Sequence, residues 1–163
     1  SGYWRMTDPQ NGYTAISAEA LEQIELDELY DEYGFLNDLL TRLNTHDMRI
    51  ADVEMAAVYG AEESSIRYSR FIPRLSWLLL QNFIWRLRAK YSSNGRLVVL
   101  PYLLGSVGGA LLLGSLTMSI AVSAQYTDWI SAALGLSICA VLIAVGMVFD
   151  RRRNEDLEMT VRR

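Results

Sequence analysis

The sequence predicts an all-α membrane protein: a two-span transmembrane helical hairpin preceded by an amphipathic interfacial helix and an acidic helical N-terminal arm. Three observations predict it. Two uncharged apolar runs, 28 residues at 97–124 and 20 at 130–149, are separated by five residues. Basic residues crowd before the first run and after the second, and the link between them has none. Charge is also divided along the 163-residue chain: residues 1–65 hold 14 of the 19 acids with three bases, a net of −11, and the remainder holds 12 bases with five acids, a net of +7. A soluble domain of this length would spread its apolar residues through one core instead of collecting them at one end.

Residues 1–16 carry Pro9, Gly12 and the aromatics Tyr3, Trp4 and Tyr13 without helical or strand periodicity. They are expected to gain order only from a partner, with the aromatics as anchors. The start is polar and acidic, so no cleavable signal peptide is expected there. A first residue other than Met is accounted for by a remnant ahead of Met6 or by loss of a presequence.

Residues 17–65 read as an acidic arm of two helices. Ser17 is a favourable N-cap, Glu19 and Glu22 complement the positive helix end, and Leu26, Leu29, Tyr30, Tyr33, Leu36, Leu40 and Leu43 keep helical spacing with Gly34 as a kink. Asn44, Thr45, His46 and Asp47 break the pattern, and a shorter helix with Ile50, Val53, Ala57 and Val58 on its stripe is expected to run to about Glu63. Some 50 residues make a poor free-standing core, so the arm is expected to dock on something larger. Its acids Asp27, Glu28, Asp31, Glu32 and Asp38 face a basic partner, the chain's own arginines, or water.

Residues 66–95 read as a basic interfacial helix and turn. Taken as a helix with Pro73 in its first turn, Trp77, Leu80, Phe83, Ile84 and Leu87 share one face, while Arg74, Gln81, Asn82, Arg86, Arg88 and Lys90 share the other. Trp77, Trp85, Arg86, Arg88 and Lys90 are the expected contacts with the membrane interface, anionic lipid included. Leu75, Leu78, Leu79 and Trp85 intrude on the polar side, so a partner protein as well as lipid is expected to cover this helix. Nucleic acid is not an expected partner, because the bases alternate with an apolar stripe and the acidic arm repels phosphate.

Each apolar run is long enough to cross a hydrocarbon core of roughly 30 Å. The link at 125–129 is so short that the two must form an antiparallel hairpin. Tyr126 and Trp129 flank it as interfacial anchors around Asp128. Arg86, Arg88, Lys90 and Arg96 on one flank and Arg151, Arg152 and Arg153 on the other put both termini on the positive-inside face, with the charged tail 150–163. That face is the cytoplasm for a bacterial inner membrane, or the stroma or matrix for an organelle inner membrane. Small residues recur at Gly105, Ser106, Gly109, Ala110 and Gly114 on the first span and at Ser131, Gly135 and Cys139 on the second, a pattern suited to close helix packing.

Neither span carries a charged residue or His, so no proton relay or axial ligand for a haem or chlorophyll is present within them. One Cys and one His preclude an internal disulfide and a Cys/His metal site in a single chain. No P-loop, H-E-x-x-H, G-x-S-x-G or C-x-x-C occurs, and no cofactor is expected. The expected function is that of a non-catalytic accessory or scaffold subunit, packing its hairpin beside a larger membrane complex and docking its acidic arm on the positive-inside face. The alternative is a homo-oligomeric ion channel with Asp128 at the pore mouth. A third reading is a membrane-shaping protein that acts through the wedge from Trp77 to Lys90.

Overall fold

The computed structural model describes residues 1–53, 68–93, 95–121 and 129–161. The chain is mostly helical, in the order α1 (Ala18–Glu22), α2 (Phe35–Thr45), β1 (Ile50–Val53), α3 (Tyr68–Tyr91), α4 (Arg96–Ala121), α5 (Trp129–Asn154) and β2 (Glu158–Val161). It divides into two compact units, one of residues 1–90 with 153–163 and one of residues 91–152.

In the first unit the arm departs from the expected pair of helices. Ser17 does cap α1, its hydroxyl accepting from the Ala20 N–H at 3.2 Å, but the helix stops at Glu22. A single 3₁₀ turn at Leu26–Glu28 follows before α2. Gly34 immediately precedes α2; its φ of +122° is a conformation that residues with a Cβ rarely adopt, and a Cβ there would stand 2.5 Å from Leu78 Cδ2. The chain then enters α2 without a side-chain cap.

The end of α2 is where the sequence placed it. Asp47 takes a left-handed φ of 55°, the Met48 N–H donates to the Leu43 carbonyl at 3.0 Å, and the Asp47 N–H donates to the Asn44 carbonyl at 3.2 Å. These two bonds form a Schellman motif, which satisfies carbonyls that the helix end leaves open.

Ile50 and Val53 do not lie on a second arm helix; they belong to β1, which pairs in parallel with β2 in the register Ile50 with Glu158 and Val53 with Val161. Ile50 and Val53 are β-branched and suit a strand, and the partner comes from more than 100 residues away, so local periodicity gave no sign of it. The fold is therefore not purely α, and residues 150–163 are not simply a charged tail. The remainder of the expected helix, with Ala57 and Val58, lies outside the described residues.

The same long-range return solves the problem of the small core. Tyr3, Ala20, Ile24, Leu39, Leu40 and Leu43 are buried together, with Met6, Leu29, Leu36, Met48, Ile50 and the tail's Leu157 packed against them. Residues 1–16 contribute Tyr3 and Met6 to this core, so part of that segment is ordered by the chain itself. The inner side of α3 covers the arm as well: Phe71 meets Tyr33 edge-on with ring centroids 4.9 Å apart, and Leu78 and Leu75 approach Gly34. The cover of Leu75 and Leu78 thus comes from the chain's own arm and not, as expected, from a partner protein.

The second unit is an antiparallel pair. Tyr102 lies by Gly146, Gly105 by Cys139 and Ile143, and Leu112 by Gly135, so α4 and α5 run in opposite directions along a common seam. Both helices have 26 residues, about 39 Å at 1.5 Å per residue, and both are long and apolar enough to cross a membrane. Of their most apolar windows only 17% and 11% is buried, whereas a core helix of a soluble protein is mostly buried. Pro73 and Pro101 both lie inside their helices, Pro73 five residues past the start of α3 and not in its first turn.

Candidate functional site

Two constellations include positions that the sequence singled out: a buried polar network in the first unit, whose Asn154 the sequence reading missed, and the small-residue seam in the second.

The network is built on Asn44, on the last turn of α2, and Asn154, the last residue of α5, both fully buried. Asn44 Nδ2 donates to Asn154 Oδ1 at 2.9 Å. Lys90 Nζ donates to Asn154 Oδ1 at 2.7 Å, to the Asn44 carbonyl at 2.6 Å and to Asn44 Oδ1 at 3.2 Å, and pairs with Asp47 Oδ1 at 2.9 Å. Arg86 Nη1 donates to Asn44 Oδ1 at 3.3 Å. Each amide oxygen faces a cation, and the amide nitrogen of Asn44 donates to the Asn154 oxygen, so the buried amides and the buried ammonium supply one another's hydrogen bonds. Lys90 also sits at the negative end of α2, where a cation is favourable. Gly2 packs on top, where a Cβ would run into Asn44 Oδ1 and Arg86 Nη1.

This placement corrects the expectation for two membrane-interface residues. Arg86 is only 2% exposed and the Lys90 side chain 5%, so both turn inward to the network and neither lies on a solvent or lipid rim. Hydrophobic periodicity assigned them outward because it counts charge as solvent-seeking; the buried amides that receive them lie 42 or more residues away in sequence. Trp77, Arg88 and Trp129 are exposed as expected. Trp85 is partly exposed, with the Arg42 guanidinium 5.2 Å from its ring centre. Tyr126 and Asp128 lie outside the described residues.

A second set of charges fastens the termini. Glu158 accepts from the backbone N–H of Trp4 at 2.6 Å and from that of Arg5, and Arg5 pairs with Glu155. Asp52 accepts from the Thr7 N–H at 2.9 Å. Tyr3 donates its hydroxyl to the Met48 carbonyl at 2.7 Å, and burial, with Glu158 and Asp47 nearby, pushes its phenol well above the usual tyrosine range. Among the arm acids, Glu28 and Asp38 pair with Arg42 at 2.9 and 3.2 Å, and Glu32 pairs with Arg74 at 2.6 Å. Part of the acidic face is therefore folded onto the chain's own arginines. Hydrogen bonds from Arg42 and Glu25 hold the Glu28 carboxyl below the ordinary range.

On the hairpin, the structure separates the small residues into two sets. Gly105, Gly109, Gly135 and Cys139 line the seam: a Cβ on Gly105 would stand 2.7 Å from the Cys139 carbonyl and from Ile143 Cγ1, and one on Gly135 would stand 2.8 Å from Leu112 Cδ1. Ser106, Ala110, Gly114 and Ser131 are exposed, away from it. The seam also uses Gly146, beneath the Tyr102 ring, which a four-residue spacing from Ser131, Gly135 and Cys139 passes over. At one end of this unit the Tyr91 hydroxyl donates to buried Asp150 Oδ1 at 2.6 Å. Hydroxyls of Ser115, Thr117 and Ser137 donate to carbonyls of their own helices, each at 2.8 Å.

Among the described residues no group of three or more His, Cys, Asp or Glu is placed to hold a metal ion. Comparison with protein-family models, with curated proteins and with solved structures finds no match.

Proposed function

We propose that this chain is a non-catalytic, multi-pass membrane accessory or scaffold subunit that packs its hairpin beside a larger membrane complex and presents its folded acidic unit on the positive-inside face. The observation that carries the reading is the uncovered apolar surface of α4 and α5, from Leu97, Leu111 and Met118 on one helix to Ile130, Leu134 and Val141 on the other. Such a surface is stable only in lipid or against another apolar body. The exposed ridge of Ser106, Ala110 and Gly114 gives a neighbouring helix a place for close approach.

Two further features support the threading. The segments that flank the hairpin in the chain, up to residue 90 and from residue 153, belong to one compact unit, as both ends of an in-and-out hairpin require. Arg96, Arg151, Arg152 and Arg153 are exposed at that end of the helices. The hydroxyls bonded back at Ser115, Thr117 and Ser137 favour a packing element over a pore lining.

Purification from native membrane in mild detergent tests the proposal. A subunit leaves the membrane in fixed ratio with unlike chains. Recovery with copies of itself only, or alone, overturns it. Impermeant thiol labelling of single cysteines placed at Asp128 and Arg152 tests the threading, which fails if both react from one compartment.

A further inference from the structure

We propose that the outer face of α3, the row Trp77, Leu80 and Ile84 with Arg88 beside it, lies on the anionic headgroup layer of the leaflet that α4 enters. The inference rests on the hairpin crossing the membrane. It names a membrane-contact surface different from the one that sequence spacing drew. Of the five residues assigned to a single apolar face, Leu87 is buried and Phe83 half-buried on the inner side, whereas Trp77 is 61%, Leu80 47% and Ile84 41% exposed. The three exposed residues follow one another at intervals of three and four and so form one stripe.

Three features of the chain say what covers that stripe. The chain path is short: α3 ends at Tyr91, the Gly95 N–H donates to the Tyr91 carbonyl at 3.2 Å, and α4 begins at Arg96. Ile84 is thus about 10 Å and Trp77 about 21 Å along α3 from its last residue, Tyr91, at 1.5 Å per residue, and α4 starts five residues after Tyr91. The charge is complementary to anionic lipid, because the 24 residues of α3 contain no Asp or Glu, and Arg88 is exposed in line with the row. The side-chain types fit the interface: an exposed Trp at the start of the row, Trp77, places an amphipathic ring where headgroups meet acyl chains. Arg86 and Lys90 take no part, since both are held by Asn44.

The test uses the full chain with Cys139→Ala as background and single cysteines at Leu80, Ile84, Leu111 and Tyr13. Each carries a spin label, in vesicles of phosphatidylcholine alone or with phosphatidylglycerol. Collisions with oxygen, which enters lipid, are compared with those of a water-soluble nickel chelate. The expected result is several-fold poorer access of the chelate to 80 and 84 than to the exposed Tyr13 site, with high oxygen access, in the anionic vesicles. Arg88→Gln is expected to raise the chelate-accessible fraction by up to about fivefold, corresponding to about 1 kcal/mol per base at an anionic surface. If the Leu111 site is shielded from chelate while 80 and 84 are open to it, this proposal is overturned and the hairpin reading stands. If Leu111 itself is open to chelate, the hairpin reading fails and this one with it. Sites 80 and 84 shut off from both reagents mean that protein, a partner or a second copy, covers the face, and that also overturns the proposal.

Discussion

Asn44 and Asn154, 110 residues apart, are joined amide to amide at 2.9 Å, and neither has any surface open to solvent. Through Lys90 the same pair is tied to the end of α2 and to α3. Replacing Asn154 by Ala leaves a buried amide and an ammonium each short of an oxygen, at a cost of about 1–3 kcal/mol. Asn44→Ala is expected to cost a similar amount, and the double variant clearly less than the sum, because each deletion removes the other's partner. Thermal melts in detergent measure the stability. Hydrogen exchange should become faster in β2 in each variant, and unchanged exchange there would contradict the network's role in holding the tail.

The seam makes a contrast between two glycines of α4. Gly105→Val places methyl groups against the Cys139 carbonyl, a backbone atom that cannot swing aside, and is expected to destabilise the hairpin by about 1–3 kcal/mol. At Gly114 nothing lies within 4 Å of a would-be Cβ, so Gly114→Ala is expected to fall within about 0.5 kcal/mol of the native chain. Resistance to denaturing detergent, read for both variants side by side, checks the difference. If a partner helix sits on the outer ridge, Gly114→Leu will instead weaken co-purification while the isolated chain keeps its stability.

Tyr3 predicts an alkaline limit. Its folded phenol is raised by burial, so it favours the folded state fully at pH below the ordinary tyrosine value of about 10, and that contribution is lost as pH climbs beyond it. The first unit should loosen in that range as Tyr3 ionises. Tyr3→Phe should remove this part of the alkaline transition and, by losing the bond to the Met48 carbonyl, cost about 0.5–1.5 kcal/mol at neutral pH. Phenolate absorbance followed together with circular dichroism reports both. A Tyr3 that ionises near its ordinary value in a folded chain contradicts the burial.

Arg42 joins the buried carboxylate of Asp38, which also accepts from the Tyr30 N–H at 3.0 Å, to exposed Glu28 and to the Trp85 ring. Arg42→Ala strands Asp38 without its cation and is expected to cost about 1–3 kcal/mol. The sign with pH is opposite to that of Tyr3. The lowered Glu28 carboxyl contributes above the ordinary carboxylate range, and its contribution fades as pH falls through the lowered folded value. Acid titration of stability should therefore be shallower in Arg42→Ala than in the native chain.

Local patterns determined much of this protein. Two uncharged runs became α4 and α5, the Ser17 cap and the break at Asn44 to Asp47 are where side-chain chemistry put them, and the seam uses Gly105, Gly109, Gly135 and Cys139. Those features depend on neighbours within a turn or two, or on a tight hairpin, so spacing carries them. The tertiary structure decided the rest: that Ile50 to Val53 is a strand, that Leu157 and Tyr3 complete the arm's core, and that Arg86 and Lys90 face inward. In each case the deciding partner comes from a distant part of the chain. A buried charge is tolerated only where such a partner supplies the hydrogen bonds that water would otherwise give.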